Sequence, residues 1–140
     1  MYKKELDGVD HINVYSKGKT ELGRKLSNFA YTPFTHPKLG SFKCVEGFWY
    51  YLITGDERLR KTSGWESKYL GRTLKNLREH PNEEELLEAY KAKLKYNPDI
   101  KNLLNKNTLP FAHYYVYGDK IVEAKEWLWT ALLWEKLKNE

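Results

Sequence analysis

Cysteine is almost absent: Cys44 is the single thiol in 140 residues. One thiol excludes an internal disulfide framework and suits a reducing, cytoplasmic setting. The four histidines and Cys44 show no metal-ligand spacing, so no metal is assigned. Cys44 has no paired catalytic signature. No glycine-rich phosphate loop of the Walker or dinucleotide type occurs, and no cofactor is implied. No apolar run reaches the roughly eighteen residues of a membrane span. Met1-Tyr2-Lys3-Lys4-Glu5 lacks the apolar core of a signal peptide. No membrane partner is expected.

What is present is aromatic bulk. Aromatics make up 15% of the chain and apolar residues 41%, so a core is expected despite 31% charged residues. The length suits one domain over residues 1–140, with its core at about 12–137. The net charge of +5 favours anionic partners, although 19 acidic residues offset 24 basic ones.

The densest aromatic stretch runs from Cys44 to Thr54. Val45, Phe48, Trp49 and Leu52 follow the spacing of one helical face, and Gly55-Asp56 ends that helix. Glu46 lies in its first turn, where the helix dipole favours the ionised carboxylate. Earlier, residues 1–10 read as peripheral, Ile12 to Tyr15 as a short strand, and Tyr31 to Gly40 as a loop or irregular edge strand. Later, helices are expected over Trp65–His80, from Asn82 to about Tyr96, and after Asn97-Pro98. Asn82 and Glu85 form a capping-box pair. Strands at Phe111–Tyr117 and Lys120–Ala124 read as a hairpin about Gly118-Asp119, and a final helix is expected over Trp127–Leu137.

Two carboxylates stand out chemically. Glu46 opens the aromatic helix, and Glu123 interrupts the apolar strand Ile121-Val122-Glu123-Ala124. A pair of carboxylates beside a sugar can stabilise an oxocarbenium-like transition state and activate water. For each, the plain alternative is a solvated charge.

The order of short motifs adds to this. Leu26-Ser27-Asn28-Phe29, then Val45-Glu46 opening an aromatic helix, resembles the NADAR family of riboflavin-intermediate N-glycosidase-like proteins. Gly71-Arg72, Arg78, Ala92-Lys93-Leu94 with Asn97, Leu103-Leu104, Ile121 to Ala124, and Trp127 or Trp129 follow in the family's order. The resemblance implies an α+β fold, compact and largely helical, with a small sheet that includes a C-terminal hairpin. It also implies cleavage of the N-glycosidic bond between a base and a phosphorylated ribose. Family activities include removal of ADP-ribose from guanine, including guanine in DNA, and members occur in bacteria and in the viruses that infect them. A repair or counter-defence role is thereby expected, with ADP-ribose or phosphorylated ribose, and ADP-ribosylated DNA, as partners.

Carried over by position, Glu46 is the principal catalytic carboxylate and Glu123 the second. Lys93 either binds phosphate or serves as an amine nucleophile. Asn28 holds the ribose or its phosphate, Arg72 and Arg78 bind phosphate, and Trp49 or Trp127 stacks on the base. The sequence departs from the family where its histidine after the glutamate is Gly47, and where Lys125-Glu126-Trp127 replaces its later acidic motif. Two other readings stand beside the enzyme. One is a non-catalytic nucleotide or nucleic-acid binding module using Trp65 to Tyr69. The other is a protein-interaction partner using its tryptophans, although no obligate protein partner is inferred.

Overall fold

Caps and close glycine contacts set the element boundaries in the computed structural model, which describes residues 2–140; Met1 lies outside the described residues. The architecture is α+β, with far more helix than strand and, among the described residues, three two-stranded sheets. The described residues fall into two units, residues 2–27 with Asp99–Glu140 and Asn28–Pro98.

In the first unit, β1 (Ile12–Asn13) pairs in parallel with β4 (Phe111–Ala112). The buried Asn13 amide extends this ladder. It donates to the Tyr114 carbonyl at 3.0 Å and accepts from the Tyr114 N–H at 2.9 Å, so both ends are satisfied. The stretch before β1 is not peripheral, as the polar composition suggested. Asp7 is buried because its carboxylate accepts the N–H groups of Asn13 and Lys19, at 3.0 and 2.9 Å. His11, also buried, bridges Asp10 at 2.6 Å and the Tyr114 hydroxyl at 2.7 Å.

Helix α1 (Glu21–Leu26) follows, capped by the Thr20 hydroxyl, which accepts from the Gly23 N–H at 2.9 Å. The expected strand over 111–117 divides at His113. Phe111-Ala112 serves β4, while β5 (Tyr114–Tyr117) pairs antiparallel with β6 (Lys120–Glu123) about the Gly118-Asp119 turn. The expected C-terminal helix is also broken, into a 3-10 turn at Lys125–Trp127, an α-turn at Leu128–Leu132 and a 3-10 run at Leu133–Leu137. Ala131, Trp134 and Leu137 are buried, a spacing of three that the tighter 3-10 pitch keeps on one side.

In the second unit, β2 (Phe34–His36) and β3 (Gly40–Phe42) form a hairpin where a loop or irregular edge was expected. The His36 ring stabilises its turn, with Nδ1 accepting from the Lys38 and Leu39 N–H groups, both at 3.1 Å. Helix α2 (Val45–Thr54) begins at Cys44, whose Sγ accepts from the Gly47 N–H at 3.4 Å. It ends at Gly55, whose φ of 74° is a left-handed cap. Its Phe48 meets Phe42 edge-on at 5.7 Å and lies flat on His36 at 5.6 Å.

Helix α3 (Trp65–Thr73) stops well before His80. The chain turns away at Leu74, and the Leu77 N–H donates to the Ile53 carbonyl at 2.8 Å, which leaves the Leu77 side chain exposed. Helix α4 (Glu83–Tyr96) carries the expected Asn82–Glu85 capping box, and α5 (Pro98–Lys106) begins at its proline.

Two glycines allow α2 and the segments beside it to approach. A Cβ on Gly47 would stand 2.6 Å from the Leu59 carbonyl oxygen, and one on Gly71 would stand 2.2 Å from Tyr50 Cγ. Gly47, the departure from the family's histidine, therefore has a packing cause here. Alanine normally gains about 1 kcal/mol over glycine inside a helix. Gly71→Ala should reverse that sign and cost about 1–3 kcal/mol, because the Tyr50 ring must move. Thermal unfolding reads this directly, and an unchanged or higher midpoint would refute the close packing.

Candidate active site

The first turn of α2 gathers the site. A helix start leaves backbone N–H groups without internal partners. Here the Glu46 N–H donates to the Asn28 carbonyl at 2.9 Å, and the Gly47 N–H finds the Cys44 sulfur. Asn28 is thus fastened to the residue that carries the carboxylate. Its side-chain oxygen accepts from the Tyr90 hydroxyl at 3.3 Å. Tyr90 is buried on α4, so that hydroxyl comes from a fixed element. The next motif residue, Phe29, meets Trp65 of α3 edge-on at 5.0 Å.

Helix α3 supplies the positive charge. Lys68 and Arg72 are four residues apart and share one helical face. Its start is tied to the start of α2, since Ser67 Oγ lies 2.7 Å from Thr62 Oγ1 and 3.6 Å from Cys44 Sγ. Tyr50, one turn after Glu46, lies against Gly71, and its hydroxyl is within hydrogen-bonding reach of the Arg72 guanidinium.

Glu46 keeps some accessible surface, yet burial raises its pKa from 4.5 to about 7. Lys68 and then Arg72 act in the opposite direction and only partly offset burial. The dipole argument from sequence has the wrong sign for this carboxyl. A helix terminus contributes about 0.3–1 kcal/mol, whereas desolvation can move a buried carboxyl by several times that. Burial first and the Glu46 charge second also raise the pKa of Tyr50. The result is a carboxyl that exchanges its proton near neutral pH beside two cations, the setting of a general acid or base next to an anionic ligand.

The structure brings Asn28, Glu46 and Arg72 together. It gives other expected site residues different surroundings. Arg78 forms a two-pronged ion pair with Glu85, at 2.6 and 2.8 Å, and its Nε donates to the Glu79 carbonyl at 3.1 Å. Its fork is thus engaged with the capping box of α4. Lys93 is fully buried, because it follows Ala89 and Tyr90 on the inward face of α4. With no exposed surface it has no direct route to a substrate in this conformation. The Trp49 ring lies flat on His80 at 5.6 Å.

Glu123 and Trp127 belong to the first unit. Glu123 is exposed at the end of β6 and borders an open depression with Tyr2, Lys3, Leu6 and Asp10. Trp127 ends a 3-10 turn and is half-buried. Sequence reasoning placed Lys68 only in the alternative nucleic-acid stretch Trp65 to Tyr69, and missed Tyr50 and the Tyr90 hydroxyl as site groups. The i, i+4 relation of Lys68 to Arg72 was the available signal. Among the described residues, no group of three or more His, Cys, Asp or Glu side chains could hold a metal ion.

No protein-family model and no curated protein sequence matches the chain. Among solved structures it is similar to the E. coli protein YbiA, determined by NMR. The match has 17% identity and a TM-score of 0.64, and covers 99% of this chain and 85% of that one. At this identity the likeness is one of fold, and it agrees with the NADAR-like α+β fold that the motifs implied.

The Glu46 shift has a sign that stability measurements can read. In the unfolded chain the carboxyl loses its proton near 4.5, while in the folded chain it holds it to about 7. Between those values the folded state binds more protons, so this group's contribution to stability falls as pH rises, by up to roughly 3 kcal/mol. Glu46→Gln removes the titration. The melting midpoint of the variant relative to wild type should therefore rise between pH 4.5 and pH 8. A difference that stays flat across that window would contradict the raised pKa.

Proposed function

We propose that the chain is an N-glycosidase that hydrolyses the bond between a base and a phosphorylated ribose. The finer reading is removal of ADP-ribose from guanine in DNA, in repair or counter-defence. The observation that carries the proposal is the Glu46 carboxyl, desolvated beside Lys68 and Arg72 and fastened through its backbone to Asn28. The YbiA-like fold and the ordered motifs support the same reaction class.

The chemistry follows from the groups present. Lys68 and Arg72 attract the phosphates of the ligand, and the Arg72 guanidinium suits two phosphate oxygens at once. Asn28, joined through its carbonyl to the Glu46 N–H, hydrogen-bonds a ribose hydroxyl with its side-chain amide in this scheme. Ionised Glu46 takes a proton from a water molecule as the water oxygen bonds to the anomeric carbon. The carbon–nitrogen bond breaks, its electron pair leaves with the base, and the base recovers a proton. The carboxylate also faces the positive charge that develops on the sugar as this bond lengthens. A base with pKa about 7 is half-ionised at neutral pH, so little driving force is wasted in either direction. Exposed Glu123 is not needed in this scheme.

The test is release of ADP-ribose from an oligonucleotide carrying ADP-ribosylated guanine. Wild type should release it with a rate that rises through about pH 7, the ionisation of Glu46. Glu46→Gln should lower kcat by about a hundredfold or more, while retaining ligand binding. Arg72→Ala should mainly raise KM. If wild type and Glu46→Gln are equally silent on every N-riboside supplied, the enzymatic reading falls. Binding that survives in both would then favour the non-catalytic nucleotide-binding module.

A further inference from the structure

The N-glycosidase scheme uses Lys68 and Arg72 of α3 and leaves Trp65 and Tyr69 of the same helix without a role. Trp65 is 51% exposed and Tyr69 is 61% exposed. Among the described residues, Trp65 is the one tryptophan with a largely exposed side chain, whereas Trp134 is fully buried. The two rings lie one helical turn apart and stack on each other, with centroids 5.4 Å apart and planes inclined by 25°. They are held in place: Phe29 abuts Trp65 edge-on at 5.0 Å, and the Lys68 ammonium sits 5.2 Å from the Trp65 ring and 5.5 Å from Phe29.

Residues 65, 68, 69 and 72 occupy one helical face, in the order aromatic, cation, aromatic, cation. This is the alternation that single-stranded nucleic acid requires, with ring faces for bases and cations for the phosphates between them. The platform is also joined to the carboxylate. Lys68, which touches the Trp65 ring, is the strongest charge acting on Glu46.

We propose that Trp65 and Tyr69 form a stacking platform for the bases that flank the modified base of a single-stranded nucleic acid, and thereby favour a polynucleotide substrate over a free nucleotide. The assignment of the neighbouring carboxylate as the reaction centre rests on the N-glycosidase reading; the platform itself does not.

Binding is tested first, without chemistry. A fluorescein-labelled oligothymidylate of roughly a dozen nucleotides is titrated with protein at low salt, and anisotropy is followed. Trp65→Ala combined with Tyr69→Ala should weaken affinity by about ten- to a hundredfold. Trp65→Phe should keep most of it, since a ring face remains. Tyr96→Ala, another exposed tyrosine beside a lysine, should change it less than about twofold. Thermal melting checks that each variant folds, as both platform side chains are exposed. Turnover is tested second. The double substitution should lower kcat/KM on a modified oligonucleotide by a larger factor than on the matching free nucleotide.

Failure of wild type to bind the oligonucleotide, or binding by the double variant within about twofold of wild type, would overturn the platform. Equal losses on the two substrates would overturn the preference it is said to create. If no N-riboside is cleaved, the N-glycosidase reading falls, and the anisotropy result still decides on Trp65 and Tyr69.

Discussion

Close backbone approach at two glycines is the constraint on which the second unit depends. Gly71 lets the Tyr50 ring lie flat against α3, and Gly47 lets the Leu59 carbonyl reach the first turn of α2. Only with both helices this near can charges on α3 act on a carboxyl of α2. The same approach explains why a cysteine caps α2. Its sulfur accepts the Gly47 N–H and lies beside Ser67 and Thr62, so one buried atom joins the starts of both helices. Serine would cap as well in isolation, but its shorter, smaller oxygen would make looser contacts at these distances of 3.4–3.8 Å.

The site then arises from competition between burial and charge. A carboxyl on the surface beside Lys68 and Arg72 would titrate low, and one buried without them would stay protonated well above neutrality. Glu46 has both influences, with burial the larger. Asn28 fixes the backbone beneath it, and Tyr90 fixes the Asn28 side chain. Each contact is modest, but they converge on one residue from three parts of the chain: the loop before β2, α3 and α4. Arg78 and Lys93 also make contacts within the fold. Arg78 ties the irregular segment after α3 to the capping box of α4, and Lys93 faces inward with Tyr90.

Much of the helix pattern was legible, because caps and apolar periodicity are local. The Asn82–Glu85 box, Gly55 after α2 and Pro98 at the start of α5 all act where the sequence indicates. Errors arose where a distant partner overrode local preference. Leu70, Leu74 and Leu77 continue a helical stripe, yet the Ile53 carbonyl captures the Leu77 N–H and ends α3 early. Phe111 to Tyr117 reads as one strand, but β1 and β6 claim different parts of it. In the site, Glu46 and Arg72 were visible through short motifs. Lys68 was read only as part of a nucleic-acid stretch, because its closeness to Phe29 and Glu46 depends on contacts that local sequence does not carry. The position of Arg78 was readable but its use was not, since any arginine fork suits a carboxylate as well as a phosphate.

The two cations beside Glu46 have a consequence beyond affinity. They hold its proton loosely only while their own charge is uncompensated. An anion docked on Lys68 and Arg72 cancels part of that influence, so the carboxyl becomes a better proton acceptor as the ligand arrives. Docking and proton uptake are then one coupled equilibrium, and by linkage acidity and anion occupancy reinforce each other. An anion held by Lys68 and Arg72 would thus raise the Glu46 pKa further, and its departure would lower it again, so the charge state of the carboxyl reports whether the two cations are occupied.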